Sequence, residues 1–139
     1  MSQTRTGRCS CGAVSFRAHG ELRGVVYCHC SQCRRQTGHF LASTNVGDDS
    51  LEVTGAENVT WFHSSDDAKR GFCSVCGSGL FWKHVKLDYT SILAGAFDKP
   101  SGLVGKSHIF VADKGDYYEI DDDLPHYQRS STDLVVAGD

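Results

Sequence analysis

The chain has 139 residues, 40% of them hydrophobic, with fifteen glycines, two prolines and a formal charge of −3. That length suits one domain with a buried core, and the composition excludes a disordered chain. The acidic balance (isoelectric point near 6.1) argues against a nucleic-acid binder, which carries a net basic face.

No eighteen apolar residues occur in succession, and the opening MSQTRTGRCS lacks the apolar stretch of a secretory leader. The expectation is a cytoplasmic protein with no membrane partner. Along the chain the apolar residues alternate in short segments: AVSFRA (13–18), VVYCHC (25–30), FLASTNV (40–46), LEVT (51–54), NVTWFH (58–63), GLFWKH (79–84), YTSILA (89–94) and SHIFV (107–111). Each reads as a strand. The turn-forming stretches VGDDS, TGAEN and HSSDD separate several of them. One short helix is expected at SQCRRQTG, closed by Gly38, and one irregular turn at SGLVGKS. The pattern predicts a mainly β protein, a sandwich, barrel or folded-over sheet rather than a βαβ protein. A single domain is expected over 1–127, followed by a loosely ordered tail over 128–139.

Seven cysteines punctuate this pattern: Cys9, Cys11, Cys28, Cys30, Cys33, Cys73 and Cys76. In a reducing compartment an odd number of closely spaced cysteines points to metal rather than disulfides. Cys11 and Cys76 are each followed by glycine. In a metal knuckle the chain turns back so that N–H groups face the sulfurs, and the residue after the second cysteine needs positive φ, which glycine takes at little cost. CSCG (9–12) and CSVCG (73–77) therefore read as two halves of one closed four-thiolate site. Cys28, Cys30 and Cys33 lack such a glycine. Three ligands leave one tetrahedral position open to water or to a substrate thiol, as catalytic zinc sites do. Two zincs on seven thiolates would carry the formal charge from −3 to −6.

Other partitions stay open. A zinc ribbon of Cys30/Cys33 with Cys73/Cys76 would orphan Cys9, Cys11 and Cys28 and needs a gap roughly twice the usual one. His29 or His39 would close the trio into a structural site; His29 is the poorer choice, because a continuing strand turns it away from its cysteine neighbours.

Taken together, GRCSCGAVSF, YCHCSQCRRQTG, FCSVCGSGL and HIFV…DDDLPHY resemble the glutathione-dependent formaldehyde-activating enzyme family, which is grouped with centromere protein V. The resemblance runs from Gly7 to about Tyr127. It implies a β-tent fold of antiparallel sheets meeting around zinc, a structural zinc on Cys9, Cys11, Cys73 and Cys76, and a catalytic zinc on Cys28, Cys30 and Cys33. It also implies a carbon–sulfur lyase that takes a small thiol such as glutathione and forms or cleaves an S-hydroxymethyl adduct. The competing function is a non-catalytic zinc module that binds a protein or a small thiol. Many relatives have a tryptophan where this chain has Tyr117 or Tyr118.

Around the trio, Arg34 and Arg35 are candidates for holding a substrate carboxylate, or else solvated charges balancing the thiolates. Gln36 and Thr37 are candidates for shaping the pocket. His29 reads as a proton donor, as a hydrogen-bond partner of a cysteine sulfur or as an ordinary exposed histidine, and His108 as a satisfied core histidine. Trp61, Phe81 and Trp82 read as core or pocket wall, and the acidic run 121–123 as a solvated turn.

Overall fold

The computed structural model describes residues 3–130. Ten strands and one α-helix follow in chain order. They are β1 (Thr4–Arg8), β2 (Ser15–His19), β3 (Val25–Cys28), α1 (Ser31–Thr37), β4 (Leu41–Gly47), β5 (Leu51–Thr54), β6 (Val59–His63), β7 (Ala68–Cys73), β8 (Gly79–His84), β9 (Tyr89–Leu93) and β10 (Gly105–Ile109). The mainly β expectation holds, and each of the eight expected strand segments contains a strand. The helix also forms, with Gly38 in the left-handed region at φ 81° donating its N–H to Arg34 O.

Two strands were not anticipated. TRTGR (β1) is polar and has only Gly7 buried, so it carries no apolar alternation. AKRGFC (β7) interrupts its alternation with Arg70 and Gly71, yet Arg70 is buried. Tertiary pairing overrides weak local pattern at both places.

The strands form a three-stranded sheet, β1–β2–β5, and a seven-stranded sheet ordered β10–β3–β4–β9–β8–β7–β6. All pairings are antiparallel except that of β10 with β3. Neighbouring residues on a strand face opposite sides of a sheet. On one side of the large sheet Phe81 and Ile92 join Phe16, Ala18 and Val14 of the small-sheet region in the core. On the other side Trp82, Ser91, Ser43 and Cys28 line a cavity. Of the aromatic residues in question, Phe81 is core, Trp61 stacks on it at 6.1 Å and Trp82 is cavity wall.

Phe16 is the hinge of this packing, with edge-on contacts to Phe97 at 5.1 Å and Phe81 at 6.0 Å. Opposite it in register stands Gly7. A Cβ there would lie 2.3 Å from the Phe16 ring and 2.4 Å from Ala96 O, so only glycine lets β1 close over the core. Residues 128 and 129 accept hydrogen bonds from Ala112 and Phe110, and the expected tail beyond 130 lies outside the described residues. No helix among the described residues is long and apolar enough to cross a membrane.

Phe16→Ala is expected to lower stability by about 3–5 kcal/mol. The shift of the urea midpoint at constant m-value, with zinc present, measures it.

Candidate functional site

The sulfurs of Cys9, Cys11, Cys73 and Cys76 all lie within 4.8 Å of one another. They come from two tight turns, one after β1 and one joining β7 to β8. Gly12 and Gly77 sit at φ 83° and 80° and donate to Cys9 O and Cys73 O at 3.2 and 2.8 Å. Backbone N–H groups face the sulfurs: Val14 N is 3.3 Å from Cys9 Sγ, Ala13 N 3.4 Å from Cys11 Sγ and Val75 N 3.4 Å from Cys73 Sγ. Ser78 draws the two turns together, its Oγ accepting from Ser10 N at 3.0 Å and lying 3.1 Å from Cys76 Sγ. That contact pulls the Cys76 thiol down to about 5. The glycine argument is met at both turns. The ribbon partition is excluded, because Cys73 and Cys76 group with Cys9 and Cys11.

Cys28, Cys30 and Cys33 form a second group whose sulfurs also lie within 4.8 Å of one another. Cys28 ends β3. Cys30 caps α1, its sulfur accepting from Cys33 N at 3.3 Å, and Cys33 returns from the first turn of the helix. The sulfurs share protons unequally: hydrogen bonds from Cys28 and Cys33 pull the Cys30 thiol far down, and the same network pushes Cys28 up. Among the described residues no fourth cysteine, histidine or carboxylate joins this group at that spacing. Thiolate-rich donor sets of both kinds suit zinc, so the two clusters can hold metal ions.

The trio opens on a cavity of about 290 Å³ walled by Leu41, Trp82, Tyr89 and Ile109, with Arg23 and Arg70 as its cations. A larger hollow of about 650 Å³ touches Cys9 but none of the trio, so volume alone does not locate the chemistry. Arg70 comes from β7 and is 9% exposed. Its Nη2 donates to Cys33 Sγ at 3.5 Å, while Nε and Nη1 find no partner among the described residues. Arg23 donates to Ser43 O at 2.9 Å across the cavity wall. Arg34 and Arg35, by contrast, ride on α1 and do not line this cavity; nor do Tyr117 and Tyr118. Gln36 and Thr37 border a separate hollow with Arg70.

His29 differs from its expectation as an exposed side chain or a partner of the cysteine sulfurs. It is 1% exposed and faces away from the trio. Nε2 is 2.9 Å from His108 Nδ1 and Nδ1 is 2.8 Å from Tyr118 Oη. Burial, with His108 beside it, pushes its pKa down to about 4. His108, buried as expected, places Nε2 2.9 Å from Asp122 Oδ2, and this contact holds the Asp122 carboxyl below its ordinary range. The acidic run is exposed, but its central member is therefore engaged. His39 turns its Nδ1 to Tyr117 Oη at 2.5 Å and does not join the trio.

These features define a class: a mainly β protein with one closed four-cysteine cluster and one three-cysteine cluster beside a cavity. The chain belongs to the glutathione-dependent formaldehyde-activating enzyme family, whose model it matches over residues 4–113. It is similar to an uncharacterized lyase of Schizosaccharomyces pombe, 31% identical over 116 residues that cover 81% of this chain and 82% of that protein. It is also similar in structure to a crystallised Rhodobacter sphaeroides protein, with TM-score 0.56 and 29% identity, covering 72% of this chain and 97% of that one.

The two clusters should respond differently to loss of a ligand. Cys76→Ser is expected to forfeit the folded state, since a structural site of this type supplies on the order of 10 kcal/mol. Cys30→Ser should keep its far-ultraviolet dichroism and lose one zinc. Equal unfolding of both variants would count against the division.

Proposed function

We propose that the protein is a zinc-dependent carbon–sulfur lyase that binds a small, glutathione-like thiol at the three-cysteine cluster and forms or cleaves an S-hydroxymethyl adduct. The observation that carries this reading is the convergence of three sulfurs, without a fourth donor among the described residues, on a cavity lined by a buried arginine. Family membership and the name of the yeast relative as a lyase support the reaction class. The two cysteine clusters support a reading of two zincs per chain.

A zinc held by Cys28, Cys30 and Cys33 would offer a fourth position in which a thiol would lose its proton near neutral pH. The chain's own residues do the rest. Trp82, Tyr89 and Ile109 wall the cavity and limit water. Arg70 lines it; its Nε and Nη1 are buried without a partner among the described residues, and its fixed charge beside Cys33 favours a carboxylate on the thiol substrate. Its contact with Cys33 also tempers the negative charge of the cluster. In the forward direction the thiol sulfur bonds to the carbonyl carbon of formaldehyde and the thiol's proton ends on the new alkoxide. In reverse, the carbon–sulfur bond breaks and the hydroxyl proton returns to sulfur. Holding the two reactants together supplies the proximity.

Native mass spectrometry of the zinc-replete protein, repeated with glutathione, tests the proposal. Two zincs and a glutathione adduct that disappears in Cys30→Ser are expected. Two zincs with no thiol adduct would favour the non-catalytic zinc module. Arg70→Gln should keep both zincs and weaken glutathione binding about tenfold or more, given the 1.5–3 kcal/mol of a charge-assisted hydrogen bond. A neutral thiol such as 2-mercaptoethanol should lose little. Equal losses for both thiols would leave Arg70 as a structural cation only.

A further inference from the structure

After β10 the chain returns along the exposed edge of that strand. His108 N donates to Pro125 O, and Tyr127 N donates to His108 O, each at 2.9 Å. His108 and His126 consequently pair as an isolated parallel bridge. His126 is thus placed beside His108 by backbone bonds on both sides, although its side chain is exposed. The two imidazole centroids lie 5.1 Å apart, nearly edge-on.

Asp122 reaches both rings. Its Oδ2 is 2.9 Å from His108 Nε2 and its Oδ1 is 3.7 Å from His126 Nε2. One donor atom from each of the three residues lies within 4.8 Å of the others, a limit the cysteine clusters also meet. Ligands about 2.1 Å from a tetrahedral ion stand roughly 3.4 Å apart, and the two measured separations bracket that figure.

We propose that His108, Asp122 and His126 form a third metal site, for a divalent ion of the zinc type. Two imidazoles and one carboxylate suit borderline transition ions; magnesium and calcium favour oxygen donors throughout. The second nitrogen of His108 is already held by His29, the arrangement that orients a ligating imidazole. The ion would staple residues 122–126 to β10.

Occupation has a consequence for the hydrogen-bond chain behind it. Without metal, the Asp122 carboxylate accepts from His108 Nε2–H, His108 Nδ1 accepts from His29 Nε2–H, and His29 Nδ1 accepts from Tyr118. Metal on His108 Nε2 replaces its bond to Asp122 and moves that ring's proton to Nδ1, so the two bonds behind it, to His29 and to Tyr118, reverse. His29 then donates from Nδ1 to the Tyr118 oxygen, and the tyrosine's own proton turns elsewhere. The number of protons on the two rings and the phenol does not change.

The test compares the wild-type protein with His126→Asn and Asp122→Asn, each titrated with zinc sulfate at neutral pH and counted by native mass spectrometry. His126→Asn removes an exposed side chain and leaves the backbone bridge in place. The wild type is expected to hold one more zinc per chain than either variant, whatever the cysteine clusters contain. Nitrogen-15 spectra of the histidines should show the His29 proton moving from Nε2 to Nδ1 as that ion binds. An equal zinc count in the wild type and His126→Asn at micromolar free zinc, or an unchanged His29 tautomer, would overturn the proposal.

Discussion

Two sheets that share only sparse backbone hydrogen bonds meet at four sulfur atoms. The small sheet touches the large-sheet region through Gly7 and Phe97, with Asp98 N donating to Thr6 O at 2.9 Å. Beyond that, the turn after β1 is tied to the β7–β8 turn by the cluster of Cys9, Cys11, Cys73 and Cys76. The aromatic packing of Phe16 against Phe81 and Phe97 lies beneath this junction. Apolar burial is non-directional, so it favours contact between the sheets without specifying their register. Four donors converging on one point do specify it, and the two positive-φ glycines let the chain turn tightly enough to supply them.

The large sheet then separates two tasks by its pleat. One face is core; the other carries the three-cysteine group, the aromatic walls and the buried Arg70. Arg70 donates to Cys33 Sγ at 3.5 Å, while its Nε and Nη1 are buried without a partner among the described residues. The proposed lyase chemistry draws on this asymmetry: a soft anionic cluster at one end and a hard cationic fork within reach. On the far side of β3, His29 faces a quite different surrounding of imidazoles and phenols.

Local patterns in the sequence revealed the elements whose side chains alternate and the cysteines whose turns demand glycine. They revealed the α1 stop at Gly38 as well. They did not reveal β1 or β7, because a polar edge strand and a strand carrying a buried arginine lack the expected alternation. Arg23 and Arg70 were invisible for a related reason. Arg34 and Arg35 adjoin Cys33 in sequence, but the helix carries them off the cavity, whereas Arg70 arrives from a strand 37 residues away. Nor does spacing show that His29 meets His108, since the parallel β10–β3 pairing creates that contact across 79 residues. The alternation that turns His29 from its neighbours was legible; what it meets there was not.

Strand β7 has one further property. It carries Arg70 on the cavity face and Cys73 at its end, three residues or about 10 Å along an extended chain. The same short rod is therefore anchored at one end by the four-cysteine cluster and presents its cation to the three-cysteine cluster at the other. Loosening the first anchor releases the strand that aims the second site's arginine. With zinc in the four-cysteine cluster, as proposed, a cell short of zinc would lose the placement of Arg70 together with the scaffold, whatever the three-cysteine group held.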